Sequence, residues 1–396
     1  MRVVFVYLFL IVHSLFSLDF HDFDIYQNKF TCEEVDLKIK TYLEKDPAIR
    51  KFYQLTPQVL YVGDLQHQQI DYALHLNAPP PFASEESPNA DTPIVTPRKT
   101  YCGLKGVKIA IDPGHFGGVF AELEQRYVKI PKENTRNNEA ICIYEGDLTY
   151  LTAIELKRLL EAEGAEILIT RSNMGQGVIE EDFFTWLNNH GDLKKSCLSL
   201  SELFRNYYNK EDLKKRAEKI NDFSPDITIV IHYNVHLTKE SEIFFTQSNY
   251  SLAFIPGAFC SEELKNARDR YEFLRLIVTD NLEESLRISE CIIAQFVDQL
   301  NVPMIANEKA PYLDTACIFQ RSGVYSRNLV LTRLIHSPVC YGETLVQDNE
   351  DEAYRLSFHD ISIAGIPCSS RIQEVAQAYF EGIKKYFTRY TAPGLK

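Results

Sequence analysis

Two histidines of this chain follow directly after short β-branched runs, which is where an open sheet usually carries its chemistry. His115 follows the run Val107–Ile111 through a tight turn, and His232 follows the run Ile227–Ile231. Because ligands in α/β sheets bind beyond the carboxyl ends of the strands, we expect the two imidazoles to meet at one edge. Two histidines and one carboxylate with an open fourth position are the usual ligand set of hydrolytic zinc.

Two acidic residues are expected at the same edge. Glu145 begins the helix that leads back to the predicted strand Glu166–Thr170, so it is the best third ligand. Glu343 follows the short predicted strand Val339–Tyr341. Four other acids are alternatives to Glu145: Glu122, Glu124, Glu133 and Glu139. Since an acid in the first turn of a helix more often only stabilises the helix dipole, the combination of residues carries the hypothesis.

The elements that position these residues alternate between strands and helices from Gly106 onward, which is typical of an α/β domain. The run Ile227–Ile231 is apolar on both faces and is therefore expected inside the sheet. The predicted helices are Leu148–Glu163, Glu211–Asn221, Leu282–Leu300 and a last helix from Ser370. We predict an α/β fold with a central mixed sheet flanked by helices, and a small, mainly helical N-terminal region.

Composition divides the chain into four predicted parts. Residues 1–17 match a signal peptide, because Arg2 precedes an uncharged apolar run shorter than the roughly 20 residues of a bilayer span. Residues 18–77 are the small helical region, residues 78–105 a Pro- and Ser-rich linker, and residues 106–390 the catalytic domain. We expect an exported protein that is not an integral membrane protein after signal removal.

Two long, aromatic-rich stretches of the last part fit no compact helix or strand. They are inserts at residues 172–210 and 236–280. Long connections in α/β proteins usually lie over the site, as lids or as walls that contact the substrate. We therefore expect both inserts at the rim of the sheet edge that carries the histidines.

The charge and the cysteines exclude other classes of protein. The chain has 42 Lys plus Arg against 55 Asp plus Glu, a net charge of −13. An acidic surface repels phosphate backbones, so no nucleic acid is expected as a partner. The cysteines are scattered along the chain, without the paired spacing of a cysteine-ligated zinc site.

Four segments of the sequence together resemble one enzyme family. They are IAIDPGHFGG with His115, EGDLTYLTAIELKRLLEAEGAEILITR with Glu145, KKRAEKINDFSPDITIVIHYN with His232, and PVCYGETLVQDNEDE with Glu343. In their order and framework they resemble the zinc-dependent N-acetylmuramoyl-L-alanine amidases of cell separation and sporulation. The resemblance covers about residues 106–388, with gaps. It departs from the family in a longer span between His115 and Glu145 (145 − 115 = 30).

The resemblance implies a role for each of these residues. His115, Glu145 and His232 would bind Zn²⁺, and Glu343 would be the catalytic base for the water that attacks the amide. The bond would be the one between N-acetylmuramic acid and L-alanine in peptidoglycan. This substrate implies a secreted hydrolase of the cell wall, in the periplasm or cell envelope.

Two other functions are compatible with the same residues. A zinc peptidase that cuts peptide bonds of the cell-wall stem peptide would use the same ligands. A catalytically silent wall-binding protein is the other alternative, although it would not need all four residues. A further hypothesis is autoinhibition, in which one insert plugs the zinc site until an activator protein withdraws it.

Overall fold

The computed structural model describes residues 19–77, 101, 103–236, 244–305 and 311–390. The expected signal peptide at residues 1–17 and most of the expected linker at residues 78–105 lie outside these ranges, as do residues 237–243 of the second insert. The predictions made for those residues therefore stay predictions.

Strands and helices are numbered here in chain order within the described ranges. The strands are β1 (Tyr53–Leu55), β2 (Val59–Asp64), β3 (Gln69–His75), β4 (Lys108–Pro113), β5 (Tyr127–Ile130), β6 (Ile141–Tyr144), β7 (Glu166–Ile169), β8 (Ile227–Asn234), β9 (Leu252–Ile255), β10 (Cys317–Arg321), β11 (Val324–Arg327), β12 (Val339–Val346), β13 (Ile361–Ile363) and β14 (Ile366–Cys368).

The α-helices are α1 (Cys32–Lys38), α2 (Ala121–Glu124), α3 (Glu145–Ala162), α4 (Phe183–Asn189), α5 (Gly191–Lys194), α6 (Leu200–Leu203), α7 (Asn209–Phe223), α8 (Ala267–Val278), α9 (Asn281–Leu300), α10 (Pro311–Ala316), α11 (Val330–Leu334), α12 (Glu350–Leu356) and α13 (Ser370–Tyr390). Two π-helical turns cover Ile39–Leu43 and Phe204–Tyr208. Short 3₁₀ turns cover Phe20–Tyr26, Pro47–Lys51, Leu65–His67, Gly118–Phe120, Lys132–Asn134 and Glu263–Lys265.

Seven of the described strands form one mixed sheet in the order β10-β11-β9-β12-β8-β4-β7. Strands β7, β4, β8 and β12 are parallel to one another. Strand β12 is antiparallel to β9, and β10 is antiparallel to β11. The carboxyl ends of the four parallel strands therefore lie at one edge of the sheet.

Helices cover both faces of this sheet, because successive residues of a strand point to opposite faces. On one face, Ile109 and Ile229 belong to the core that contains residues of α3, α9 and α13. On the other face, Ala110 and Val230 pack with residues of α7 and α11. Strand β8 is buried along its length except at Asn234, as its apolar run predicts. The predicted α/β fold, a central mixed sheet flanked by helices, is confirmed.

Two strands extend further than the sequence indicates. Strand β8 continues through His232, and β12 continues through Glu343, so both residues lie inside strands rather than just after them. The reason is that the backbones of these polar residues still pair: Glu343 is the partner of His232 in the parallel register of β12 and β8. The two side chains therefore come from neighbouring positions on adjacent strands.

The N-terminal region contains a small sheet beside its short helices. Strands β1, β2 and β3 form a three-stranded antiparallel sheet, which the expectation of a mainly helical region omitted. Leu60 and Leu74 of this sheet and Val35 of α1 share a buried cluster with Phe273 and Ile277 of α8. The second insert therefore contributes α8 to a core shared with residues 19–77.

No helix among the described residues combines the length and the apolar character that crossing a membrane requires. The longest ones, α9 and α13, instead pack together against the sheet, in the same core as α3.

Candidate metal centre

The structure brings His115, Glu145 and His232 together at the carboxyl edge of the parallel strands. His115 follows β4, Glu145 is the first residue of α3, and His232 lies near the end of β8. One ligand atom from each residue lies within 4.8 Å of the other two. Within the described part of the chain, these three side chains are the group that could hold a metal ion.

The separations among these atoms suit a small tetrahedral ion. Nδ1 of His232 lies 3.0 Å from Oε1 of Glu145, and Nε2 of His115 lies 3.3 Å from Oε2 of Glu145. Neighbouring ligands on tetrahedral zinc, with bonds of about 2 Å, are about 3.3 Å apart. Two imidazole nitrogens and one carboxylate therefore fit zinc both by chemistry and by spacing.

Glycine allows the backbone to approach the three candidate ligands closely. A Cβ atom on Gly114 would lie 2.3 Å from the His232 ring, and one on Gly146 would lie 2.1 Å from the backbone nitrogen of Gly117. His115 itself has a φ of 57°, an uncommon conformation for a residue with a side chain. The loop after β4 is therefore shaped by its contacts with β8 and α3.

Glu124 orients the His115 ring. Its Oε1 lies 2.8 Å from Nδ1 of His115, and its Oε2 accepts a hydrogen bond of 2.8 Å from the backbone N–H of Phe116. This contact leaves Nε2 of His115 facing Glu145. Sequence reasoning considered Glu124 only as a rival ligand, because nothing in the sequence indicates that α2 brings it to the opposite side of the ring.

Two buried arginines support the loop from behind. Arg171 donates hydrogen bonds to the backbone carbonyls of Pro113, Phe116 and Gly114, at 3.0, 2.8 and 3.1 Å. Arg216 donates to Asp212 and to Pro113, at 2.6 and 3.1 Å. Burial and the charge of Arg216 lower the pKa of Arg171 to about 9. Sequence reasoning missed both arginines as parts of the site.

Glu343 lies beside the three residues without belonging to their cluster. It pairs with His232 across β12 and β8, and it is half-buried. Burial and the nearby carboxylate of Glu145 raise the pKa of Glu343 to about 8. The ring of Tyr341, on the same strand, stacks on His232 with 4.4 Å between ring centroids.

The electrostatics of the metal-free site favour one bound proton on His115. Burial lowers the pKa of His115, but Glu145 and Glu124 outweigh it and raise this pKa to about 9. Burial is the main reason that the pKa of His232 falls to about 4. Burial also opposes ionisation of Glu145, yet the charge of His115 and its hydrogen bonds keep the pKa of that carboxyl below its ordinary value.

A cleft of about 510 Å³ opens beside His115. One wall comes from α2 and the start of the β5–β6 hairpin, and the other from the end of the first insert and α7. Its lining residues are His115, Glu124, Gln125, Arg126, Arg205 and Asn209. The first insert therefore reaches the rim of the candidate site. The second insert contributes β9 to the central sheet, where Leu252 is the partner of Glu343, while its helix α8 packs against residues 19–77.

Comparison with known proteins identifies the family. The model of the family Amidase_3, N-acetylmuramoyl-L-alanine amidase, matches residues 109–385 of the chain. The match covers more than half of the chain and contains all four predicted site residues. The chain belongs to the N-acetylmuramoyl-L-alanine amidase family, enzymes that hydrolyse the bond between N-acetylmuramic acid and L-alanine in peptidoglycan. A comparison with curated proteins found no match.

Several solved structures to which the chain is similar are amidases. CwlD from Clostridioides difficile, solved in complex with the GerS lipoprotein, is 20% identical with a TM-score of 0.40, over 72% of this chain and 99% of that chain. Ami1 from Mycobacterium smegmatis is 14% identical with a TM-score of 0.42, over 72% and 99%. The catalytic domain of CwlV from Bacillus (Paenibacillus) polymyxa var. colistinus is 14% identical with a TM-score of 0.35, over 71% and 98%.

Proposed function

We propose that this chain cleaves the amide bond between N-acetylmuramic acid and L-alanine of peptidoglycan, with zinc bound by His115, Glu145 and His232 and with Glu343 as the base. Family membership supports the reaction. The observation that carries the zinc proposal is the convergence of three ligand atoms within 4.8 Å, from three separate elements. The cleft beside His115 supports access of a substrate to that point.

Zinc, Glu343 and Glu124 would each have a separate role in this reaction. Zinc, when bound, supplies a Lewis acid that makes water a stronger acid and polarises an amide carbonyl. Glu343 accepts the proton of the attacking water and then delivers it to the departing nitrogen of L-alanine. Burial and the Glu145 carboxylate raise the pKa of Glu343, and a bound cation would lower it again toward the working pH, where a carboxyl group can both accept and release a proton. Glu124 meanwhile holds the ring of His115 in place.

The products of digestion test this proposal against its alternatives. Purified protein lacking residues 1–17 is incubated with zinc and muropeptides, and the products are identified by mass spectrometry. We expect intact glycan and intact stem peptide. Fragments cut inside the stem peptide would instead indicate a zinc peptidase. An absence of products, despite bound zinc, would indicate a silent wall-binding protein.

We also propose that the protein is exported to the periplasm or cell envelope, since peptidoglycan lies outside the cytoplasm. The apolar N-terminal segment supports export, and we expect a signal peptidase to remove residues 1–17. N-terminal sequencing of the protein recovered from each cell fraction shows both its location and whether residues 1–17 have been removed. A protein that stays in the cytoplasm with an intact N-terminus would contradict the proposal.

Of the two inserts, we propose that the first is the one an activator protein moves, because its Arg205 lines the cleft beside His115. In this proposal the insert at residues 172–210 restricts the site until a partner protein moves it. Replacing residues 189–198 by a short linker, which leaves Arg205 and the buried aromatic side chains of the insert in place, should then raise basal hydrolysis, with zinc content as the control for an intact site. Reduced hydrolysis with full zinc content would instead mean that the insert contacts the substrate.

A further inference from the structure

We infer that Arg126 and Arg205 form a subsite that binds a free carboxylate of the stem peptide. This inference rests on the proposed function and adds to it the side of the site on which the peptide half of the substrate lies. Both arginines line the cleft of about 510 Å³ beside His115. They come from different walls of that cleft, one from the β5–β6 hairpin and one from the first insert.

Arg126 is held next to a metal-binding residue by its backbone. Its carbonyl accepts a hydrogen bond of 3.2 Å from the backbone N–H of Glu145. Strand β5 begins at the next residue and pairs with β6, so Tyr127 lies opposite Tyr144. The Arg126 backbone is therefore placed by the same hairpin that leads into α3, while its side chain is exposed at the cleft.

Arg205 is held by aromatic packing on both sides of it in the chain. Phe204 and Tyr208 are buried, and their rings lie 5.0 and 5.7 Å from the ring of Phe116, the residue after His115. The exposed guanidinium of Arg205 donates a hydrogen bond to the side-chain oxygen of Gln125. Since Gln125 immediately precedes Arg126, this contact connects the two walls of the cleft.

Neither guanidinium forms an ion pair with a carboxylate of the described residues, although the charge of Arg126 acts to lower the pKa of Glu343 and that of Arg205 acts to lower the pKa of Glu202. The chain as a whole carries a net charge of −13. The carboxylate that lines the same cleft, Glu124, is buried and already contacts His115 and Phe116. Two unpaired guanidinium groups in a cleft of an acidic protein suit an anionic ligand, and planar guanidinium matches carboxylate with two parallel hydrogen bonds.

The chemistry of the substrate decides which half of it carries that anion. The lactyl carboxyl of N-acetylmuramic acid is consumed in the amide bond, so the sugar side next to the cut is neutral. The stem peptide keeps free carboxylates beyond its L-alanine. A cleft of this volume lies in the range of small-ligand sites, roughly 300–1,000 Å³, and accommodates a short peptide. The leaving peptide therefore occupies the arginine-lined cleft, and the glycan extends away from it.

A matched pair of peptides tests the subsite without requiring catalysis. One is a stem peptide with a free carboxylate on the residue after L-alanine, and the other carries a neutral amide there. Their affinities are measured by calorimetry for the zinc-loaded protein, for the variant Arg126→Met/Arg205→Met, and for Arg268→Met. Arg268 is an exposed arginine of α8 outside the cleft, so it is the control.

We expect the unmodified protein and the Arg268→Met control to bind the carboxylate peptide about tenfold or more tightly than the amide peptide. The reason is that hydrogen bonds to a charged group are stronger than those to a neutral one. This ratio should fall toward one in the double variant, and high salt should reduce it in the unmodified protein. An equal affinity for both peptides, or an unchanged ratio in the double variant with full zinc content, would overturn the inference.

The same protein samples keep this result separate from the proposed function. Cleavage of the matching muropeptides reports whether the bond to N-acetylmuramic acid is the one hydrolysed. If the carboxylate preference depends on the two arginines but no such cleavage occurs, the subsite stands and the proposed reaction fails. If cleavage occurs but the peptide affinities do not depend on the two arginines, the proposed reaction stands and the subsite is refuted.

Discussion

The sheet edge that carries the candidate metal ligands and the wall of the cleft beside it are built in different ways. At the edge, Glu145 is buried and His115 is mostly covered, and both contact other buried groups. At the wall, Arg126 and Arg205 are exposed, and it is their backbones and neighbours that are held. The candidate ligands are held by contacts of their own side chains. The two arginines are held only by contacts of their backbones and neighbours, so their side chains can adjust to a flexible ligand.

This contrast predicts two kinds of response to substitution. Changes at the edge should remove catalysis, metal affinity or stability outright, because no other group can take the place of a fixed one. Changes at the wall should alter preference among substrates and remain sensitive to salt.

Glu343→Gln should give the largest loss. Glutamine keeps the shape of the side chain but cannot accept a proton, so hydrolysis of muropeptides should fall by about a thousandfold or more. Zinc content should remain at the level of the unmodified protein, because Glu343 lies outside the group of three metal-binding side chains. Turnover rates and metal analysis on the same samples measure both quantities. Substantial turnover in this variant would refute the assignment of the base.

Arg171→Met should destabilise the fold by about 3 kcal/mol, more than a hundredfold in the folding equilibrium. The substitution leaves the carbonyls of Pro113, Gly114 and Phe116 without the donors that Arg171 supplies. Chemical denaturation of the zinc-free protein measures the free energy of unfolding. Arg268→Met is again the exposed control, and equal stabilities of the two variants would contradict the supporting role of Arg171.

Glu124→Gln should weaken zinc binding by roughly 10- to 100-fold, the usual effect of losing a carboxylate that orients a metal-binding histidine. The exposed acid Glu122 of the same helix, which pairs with Lys129, provides the control Glu122→Gln. Competition with a chelator measures both affinities. If the two variants bind zinc equally well, Glu124 does not orient His115 in the way that the contact suggests.

The zinc affinity should rise with pH, by about tenfold per unit between pH 6 and 8. The sign follows from His115, whose pKa of about 9 in the metal-free protein keeps it protonated below that pH, so that zinc must displace a proton. His232, with a pKa of about 4, adds no such competition in this range. Titration in the Glu343→Gln background removes the contribution of that carboxyl, and a pH-independent affinity there would contradict the prediction.

The sequence predicted the candidate ligands at the sheet edge better than it predicted the side chains that hold them in place. His115 and His232 follow β-branched runs, and parallel strands end at one edge of a sheet, so a shared edge could be expected from local patterns, whereas the adjacency of β4 and β8 could not. The role of Glu124 could not, because it depends on how α2 folds back within the long span before Glu145. Arg171 follows a strand and resembles a surface residue in sequence, although it is almost fully buried.

The fold class was predicted correctly, and the omissions were in short or distant elements. Strand β1 has only three residues, but β2 and β3 have six and seven, and the alternation of buried Tyr72 and Leu74 in β3 was a signal that the sequence reasoning overlooked. The packing of α8 on residues 19–77 depends on contacts between distant parts of the chain, such as the ion pair between Asp71 and Arg270. Local periodicity carries no information about such contacts, so the position of the second insert was not predictable.

The central claim is that His115, Glu145 and His232 bind one zinc ion beside Glu343. Anomalous diffraction at the zinc edge, from crystals of the protein lacking residues 1–17 and grown with zinc, tests it most directly. The account predicts one strong peak at about 2.0–2.2 Å from a nitrogen of each histidine and from a Glu145 oxygen. A peak at other residues, or none at these three in zinc-replete protein, would contradict it.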